Sequence, residues 1–385
     1  MLAKASLHER IVARNPLCTA FFERESEPLA YACRAMAQRF ARGGRLLAFG
    51  NGPYATDAMH VSVEFIHPVI VGKRALPALD ISMARDAWLD ALAGPDDIAI
   101  AFGPPQGDPG ALSALARIRA RGTMTLAWPG KNADYAVRAP CENVHVHQEL
   151  FELLGHTMYE SVHVFLEHAQ DFGGEAHPQS FLYPFLAPQQ SGGSTVEDVA
   201  ASIRMKARDA NDLRMRVADE QADAIGAAAG AMKKRIANGG RILAFGNGGS
   251  ATDATDFALD CVLPEGGMTP VPAVSLALEP AVITATANDV GTDVIFLRQL
   301  IAQCGKQDIA LAFSTSGGSR NVVAALEEAG RRGLLTIALL GYDGGEIVRR
   351  GLADVAIVVP CDYVPRIQEA QGTIYHVLRE ALGDA

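Results

Sequence analysis

The segment GGRLLAFGNGPYATDAMHVSVEF, Gly43 to Phe65, returns almost unchanged as GGRILAFGNGGSATDATDFALDC, Gly239 to Cys261. A chain of 385 residues is too long for one ordinary core and suits two, and the repeat says that the two are alike. It extends well past the first match. Asn51 and Asn247 stand 196 residues apart; DDIAIAF (Asp96 to Phe102) matches QDIALAF (Gln307 to Phe313) and RARGTMTLAW (Arg119 to Trp128) matches GRRGLLTIAL (Gly330 to Leu339), both at 211. HQELFELLGHTMYESVHVFL (His147 to Leu166) matches IQEAQGTIYHVLREAL (Ile367 to Leu382) at 220. The growing offset puts extra residues between the strands of the second copy, including LALEPAVITATANDVGTD (Leu276 to Asp293). Between the copies lies FGGEAHPQSFLYPFLAPQQSGGST (Phe172 to Thr195), a Gly-, Pro- and Ser-rich stretch that reads as a linker. The expected division is a domain at 1–172, a linker at 173–194 and a second domain at 195–385.

Within each copy short, continuous β-rich runs such as ILAF, IALAF, LTIALL and VAIVVP alternate with amphipathic helical segments. That pattern predicts strands buried on both faces of a parallel sheet, hence two doubly wound α/β units in three-layer αβα sandwiches. Ligands of such sheets bind at the carboxyl ends of the strands, so the chemistry belongs in the loops after RILAF and IALAF. The formal net charge of −10 and the lack of clustered Lys and Arg argue against nucleic acid as a partner. The first residues, MLAKASLHERIVARNP, carry charges where a signal peptide needs an apolar run, and no stretch is apolar enough to span a bilayer; a cytoplasmic location without membrane partners is expected. The six cysteines show no CxxC or zinc-finger spacing and are expected to be reduced and mostly buried.

FSTSGGSRNVVAALEEAG, Phe313 to Gly330, sets Ser314, Thr315, Ser316 and Ser319 with two glycines between a strand and a helix. Helix N-terminal N–H groups aided by hydroxyl donors hold a dianionic phosphate without Lys or Arg. A single serine there would be an ordinary helix cap; four hydroxyls in six residues favour phosphate. FGNGGSATD, Phe245 to Asp253, is a second strand-to-helix turn, offering Asn247, Gly248, Gly249 and Ser250. The first copy lacks both features: GPPQGD (Gly103 to Asp108) has two prolines without N–H groups and no hydroxyl, and Pro53-Tyr54 stand opposite Gly249-Ser250.

The first copy instead holds His60 and Glu64 at i and i+4, and Gln148 and His156 at i and i+8, each pair on one helical face. A His with a Glu four residues on is commonly a surface pair. Taken as four, these residues make a mixed N/O donor set for zinc or another divalent metal, in which Glu and His also suit proton transfer. The second copy has Asp256, Asp260, Gln368 and His376 at the matching positions, a weaker set with shortened acids. His145, His147, His163, His168 and His177 show no spacing of their own and are read as solvated or structural.

These motifs together resemble the SIS (sugar isomerase) family, and within it the phosphoheptose isomerases, over nearly the whole chain as two tandem copies. The resemblance implies an aldose–ketose isomerase that interconverts sedoheptulose 7-phosphate and D-glycero-D-manno-heptose 7-phosphate. It implies phosphate binding by Ser314, Thr315, Ser316 and Ser319 with Ser250 nearby, zinc on His60, Glu64, Gln148 and His156, and Glu64 and His156 as base and acid. The family's Asn-Asp pair maps to Asn288 and Asp289, which the first copy lacks. Neither copy is complete. Ser250 and Asp260 are ten residues apart along a helix, roughly 15 Å at 1.5 Å per residue, so one helix carries its acids away from its own phosphate end. The expectation is therefore a composite site, with the acid–base set of one domain facing the phosphate loop of the other, in a homodimer of four SIS domains. Two alternatives stand beside it: a phosphosugar-binding or regulatory protein, and an isomerase of another sugar phosphate.

Overall fold

The structure is a computed structural model that describes residues 4–68, 72–170, 194–264 and 267–383. Nearly all of the expected linker lies outside the described residues. By its contacts the chain divides into two units, one made of residues 16–209 and the other of residues 1–15 with 210–385. This is a division by contacts, whereas the split at 1–172 and 195–385 follows the repeat.

In the unit 16–209 the strands are β1 (Leu46–Phe49), β2 (Ala78–Asp80), β3 (Ile98–Phe102), β4 (Met124–Trp128) and β5 (Tyr135–Ala136), in the order β2-β1-β3-β4-β5. Every pairing is parallel, with Ala48 opposite Ile100 and Ile100 opposite Leu126. Its helices are α2 (Arg14–Ala41), α3 (Tyr54–Ile66), α4 (Arg85–Leu92), α5 (Pro109–Arg119) and α6 (Val144–Gln170). The unit 1–15 with 210–385 contains α1 (Lys4–Val12) and, from residue 210, the helix α7 (Ser194–Ala237). Then follow β6 (Ile242–Phe245), α8 (Gly249–Val262), β7 (Ala273–Ser275), α9 (Pro280–Asp289), α10 (Ile295–Gln303), β8 (Ile309–Ser314), α11 (Arg320–Arg331), β9 (Leu335–Leu340), α12 (Gly345–Arg349), β10 (Val355–Val358) and α13 (Val364–Gly383). Its sheet has the order β10-β9-β8-β6-β7, also parallel throughout. The extra residues of the second copy fold as α9, which has no counterpart after β2.

Burial on both faces explains the continuous apolar runs. Along β6, Ile242 and Ala244 enter a core with Leu7 and Ile11 of α1, Phe257 of α8 and Ile374 of α13. Leu243 and Phe245 enter the opposite core, with Phe296 and Leu326. Side chains alternate across a strand, so each strand feeds two helical layers.

The same polar frame recurs in each sheet. The N–H of Arg45 donates to Asp97 Oδ1 at 2.9 Å, and that of Arg241 to Asp308 Oδ1 at 3.0 Å. Thr125 N–H donates to Asp134 Oδ2 at 2.8 Å, and Thr336 N–H to Asp354 Oδ2 at 2.9 Å. Before each arginine stands a glycine in close backbone contact. A Cβ on Gly44 would lie 1.9 Å from the Asp96 carbonyl oxygen, and one on Gly240 would lie 2.1 Å from that of Gln307. Cys18, Cys33 and Cys261 are buried, whereas Cys141, Cys304 and Cys361 are half-buried; all six are free thiols, so only half of them meet the expectation of burial. Among the described residues no helix is long and apolar enough to cross a membrane.

Gly240→Ala is expected to destabilise the protein by about 2 kcal/mol or more, because backbone rather than a flexible side chain blocks the new methyl. Gly330→Ala, on α11 with nothing within 4 Å of the new Cβ, is expected to gain up to about 1 kcal/mol. Urea unfolding of the two variants beside the parent checks both signs.

Candidate functional site

In the unit 16–209, α3 leaves β1 through Gly52, at φ +58°, and Pro53 at its N-cap. Its inner face presents Thr56, His60 and Glu64 at successive i+4 positions, all buried. Opposite them α6 presents Gln148, His156 and Glu160, also buried. The His60 and His156 rings meet nitrogen to nitrogen, Nε2 to Nε2 at 3.1 Å, and a Glu64 carboxylate oxygen stands 4.0 Å from His60 Nε2. One potential ligand atom from each of His60, Glu64 and His156 lies within 4.8 Å of the others. Gln148 behaves differently: its Nε2 approaches Thr56 Oγ1 at 3.5 Å. The fold thus gathers His60, Glu64 and His156 around one point. Glu160, unforeseen from the sequence, is ion-paired with Lys206 of α7 beside this cluster; it lies one further turn beyond His156, so the i+4 spacing alone marks it.

Between α3 and α6 lies a cavity of about 10 Å³ whose walls include His60, Glu64, Gly155 and His156. That is room for one water-sized sphere or a bare metal ion. The Oε2 atom of Glu64 is buried without a hydrogen-bond partner, and burying a carboxylate oxygen in that state is costly. Two imidazole nitrogens about 3 Å apart match the spacing of ligands bound at 2.0–2.1 Å in a tetrahedron. The donor set therefore fits a divalent cation. Burial pushes the Glu64 carboxyl up to about 7; nearby His60 opposes the shift and Glu160 adds to it.

The Ser/Thr loop expected to bind phosphate lies in the other unit. The loops after β6 and β8 leave the same end of two adjacent parallel strands, and the Asn247 and Asn321 amides join them by reciprocal hydrogen bonds of 2.9 Å. Asn321 escaped the sequence reading, although it follows Ser319 by two residues. Ser314 Oγ accepts from Gly317 N–H at 3.1 Å and Ser316 Oγ from Gly318 N–H at 3.3 Å. Gly317, at φ +60°, passes so close to Gly344 that a Cβ there would lie 2.1 Å from the Gly344 carbonyl oxygen. Ser319 caps α11 with no side-chain hydrogen bond to it. Gly248, at φ +57°, turns the chain into α8, whose first turn carries Gly249 and buried Ser250. Asn288 and Asp289 end α9, exposed and bonded to each other at 2.7 Å.

The corresponding loop of the first unit is occupied from within. Asp108 caps α5, its Oδ1 accepting from Ala111 N–H at 2.9 Å, while Oδ2 takes the Asn51 amide. Burial would raise this carboxyl, but the bonds from Ala111, Asn51 and Gly110, with the Arg85 charge, outweigh it and hold it below the usual range. A fixed anion therefore sits at the helix end that corresponds to the start of α11 in the other copy.

The second acid set is gathered as well: ligand atoms of Asp256, Asp260 and His376 lie within 4.8 Å of one another. His376 Nε2 lies 3.5 Å from both Asp256 Oδ2 and Asp260 Oδ2. The Tyr375 hydroxyl donates to Asp256 Oδ2 at 2.8 Å, and Arg379 Nε donates to the Asp260 carbonyl at 2.8 Å. Gln368, on α13 with His376, is buried. Of the remaining histidines, His145, His147 and His163 are buried and none of the three is solvated. His147 Nε2 donates to the Gly103 carbonyl at 2.9 Å, and burial pushes its pKa down to about 4, partly offset by that bond. His163 bridges the Tyr159 and Arg74 carbonyls at 3.0 Å each, and its pKa too is lowered by burial. The side chain of His168 and all of His177 lie outside the described residues.

The SIS domain family matches residues 207–341. A phosphoheptose isomerase of Geobacter sulfurreducens is 40% identical over 187 residues, which is 48% of this chain and 94% of the relative. One of Geotalea uraniireducens is 41% identical over 170 residues, 43% of this chain and 87% of the relative. In structure, the chain is similar over its full length to the C-terminal domain of glucosamine-fructose-6-phosphate aminotransferase from Francisella tularensis. That match has a TM-score of 0.63, 8% identity, and coverage of 100% of this chain and 96% of the other, a likeness of fold.

In the metal-free protein Glu64 keeps a proton that the unfolded chain releases. Its contribution to stability is present below about pH 4.5 and lost as pH rises through about 7. Glu64→Gln is expected to match the parent at pH 4 and to exceed it by about 3 kcal/mol at pH 8, read from denaturant melts in chelator across that window.

Proposed function

The chain belongs to the phosphoheptose isomerase family of SIS-domain proteins and is a phosphosugar isomerase; from that premise we propose that it interconverts sedoheptulose 7-phosphate and D-glycero-D-manno-heptose 7-phosphate. The observation that carries the reading is the buried group of Glu64, His60 and His156 around one small cavity, in a chain whose other unit holds the Ser/Thr loop. Each unit keeps what the other has replaced, and we take the proton-handling set of one and the phosphate loop of the other to serve the same turnover.

Glu64 is the base. Its carboxylate takes a proton from C1 of the open-chain ketose and returns one to C2. His156 moves the second proton, from the C1 hydroxyl to the C2 oxygen, as the carbonyl changes place. His60, Glu64 and His156 would hold a divalent metal, proposed as zinc; when bound it supplies Lewis-acid stabilisation of the negative charge on those oxygens. In the other unit Ser314, Thr315, Ser316 and Ser319 receive the phosphate, with N–H groups at the start of α11 supplying positive dipole ends. Ser250, Gly249, Gly248 and Asn247 flank them, while Asn288 and Asp289 are proposed to contact the sugar. The reading extends to a homodimer carrying four such domains, checked by light scattering.

Incubating the protein with sedoheptulose 7-phosphate should yield the aldose, and a chelator should suppress it; binding without conversion would favour a phosphosugar sensor. Glu64→Gln should lower kcat at least about 100-fold while leaving substrate affinity near that of the parent. Ser316→Ala should raise KM by roughly 10-fold with kcat little changed. Isothermal titration and initial rates separate the two, and an unchanged kcat in Glu64→Gln or an unchanged KM in Ser316→Ala would contradict a shared turnover.

A further inference from the structure

We infer that Arg320, the first residue of α11, is a further phosphate-binding residue, and that it leaves its partner Asp293 for the phosphate when the sugar phosphate binds. The inference rests on the reading that Ser314, Thr315, Ser316 and Ser319 receive that phosphate, and deepens it by adding a cation to the seat.

Within residues 314–321 Arg320 carries the only charge, and it directly follows Ser319 at the N-cap of α11. Side chains on a helix lean toward its N-terminus, so from the first position a guanidinium can reach over the loop of residues 314–319. Arg320 Nη1 donates instead to Asp293 Oδ2, at 3.3 Å. Asp293 belongs to the single 3₁₀ turn Thr292–Val294 between α9 and α10, in the same unit. The pair is open to water: the Arg320 side chain is 82% exposed and that of Asp293 51%. An ion pair so exposed contributes little, so parting it costs little. A phosphate dianion at the start of α11 would offer the guanidinium a larger charge and a pair of oxygens that match its fork.

The other copy shows the same helix end with the anion built in. At the repeat offset of 211, Ser319 corresponds to Asp108 and Arg320 to Pro109. There α5 starts with a fixed carboxylate at its N-cap, followed by a residue that has neither an N–H group nor a charge. That carboxylate already has a cation near it, Arg85 of α4, whose charge helps to keep it ionised. The segment that supplies Asp293 belongs to the extra residues of the second copy. So hydroxyls and a movable cation occur together at the start of α11, and an internal anion replaces them at the start of α5. Between turnovers Asp293 keeps the guanidinium beside the seat, so that less side-chain freedom is lost when phosphate arrives.

The test is binding by the full chain, read by isothermal titration with inorganic phosphate and with sedoheptulose 7-phosphate at low and at high salt. The proteins compared are the parent, Arg320→Gln, Asp293→Asn, the double variant of these two, and Ser316→Ala; circular dichroism confirms that each is folded. Arg320→Gln is expected to weaken both ligands about 10-fold and to flatten the salt dependence. Asp293→Asn should strengthen both about 3-fold by releasing the cation, and that gain should vanish in the double variant. A pair that only staples the turn to α11 would give the opposite sign, with both single variants weakening binding alike, and would overturn the exchange. A gain from Asp293→Asn that persists in the double variant would also overturn it, because Asp293 would then act on the ligand without Arg320. Arg320→Gln binding like the parent while Ser316→Ala binds less would overturn the inference and leave the phosphate loop in place. A parent chain that binds neither ligand would overturn the inference together with the phosphate reading of the loop.

Discussion

Strands buried on both faces leave chemistry only at their carboxyl ends and in the helices that start there. In both sheets this constraint fixes what each element can do. The strands carry alternating apolar residues into two helical layers, so polar side chains for function fall at their ends, as Ser314 does at the end of β8. The glycine turns after β1, β6 and β8 and the helices α3, α8 and α11 inherit the task. A helix adds about 1.5 Å per residue, which separates what its start can hold from what its later turns can reach. Ser250 stands at the start of α8 and Asp260 near its far end. The start of α8 and its acidic turns are thus different places on one element.

The two units resolve that separation in opposite ways. Around α11 the loop hydroxyls remain free of the helix end, since Ser319 makes no capping bond. Around α5 the same end is neutralised by Asp108, an internal anion held by N–H groups and the Asn51 amide. Between α3 and α6 a small cavity survives because Gly155 lacks a side chain, and a carboxylate oxygen of Glu64 is left without a partner inside it. Between α8 and α13 Tyr375 and His376 occupy the shortened acids. At α5 the sequence change is accompanied by a replacement contact, Asp108 on the helix end, as expected where an unpaired buried polar group is costly.

Much of the fold was legible because its signals are local. The runs ILAF, IALAF and LTIALL are strands in the structure, and the Ser/Thr loop leads directly into α11. The insertion of the second copy was visible as a change of offset and folds as α9. His60, Glu64 and His156 meet because i+4 spacing on two facing helices is sufficient to bring them together. What spacing leaves out is the partner across the helices: the Gln148 amide donates to Thr56, a contact set by the neighbouring helix. Asp108 was hidden for the same reason, since a cap is recognised by the helix it closes. Nor does any local pattern assign Lys4–Val12 to the unit of residues 210–385, where Leu7 and Ile11 complete an apolar core.

The central claim is that a buried carboxylate in the unit 16–209 moves a proton on a sugar phosphate. Running the isomerisation in deuterium oxide and reading the product by proton NMR tests it most directly. The account predicts deuterium at C2 of the aldose formed from the ketose, because a proton on Glu64 exchanges with solvent while an abstracted hydrogen waits there. Complete conversion with no deuterium at that carbon would point to direct hydride transfer, which needs no base, and would contradict it.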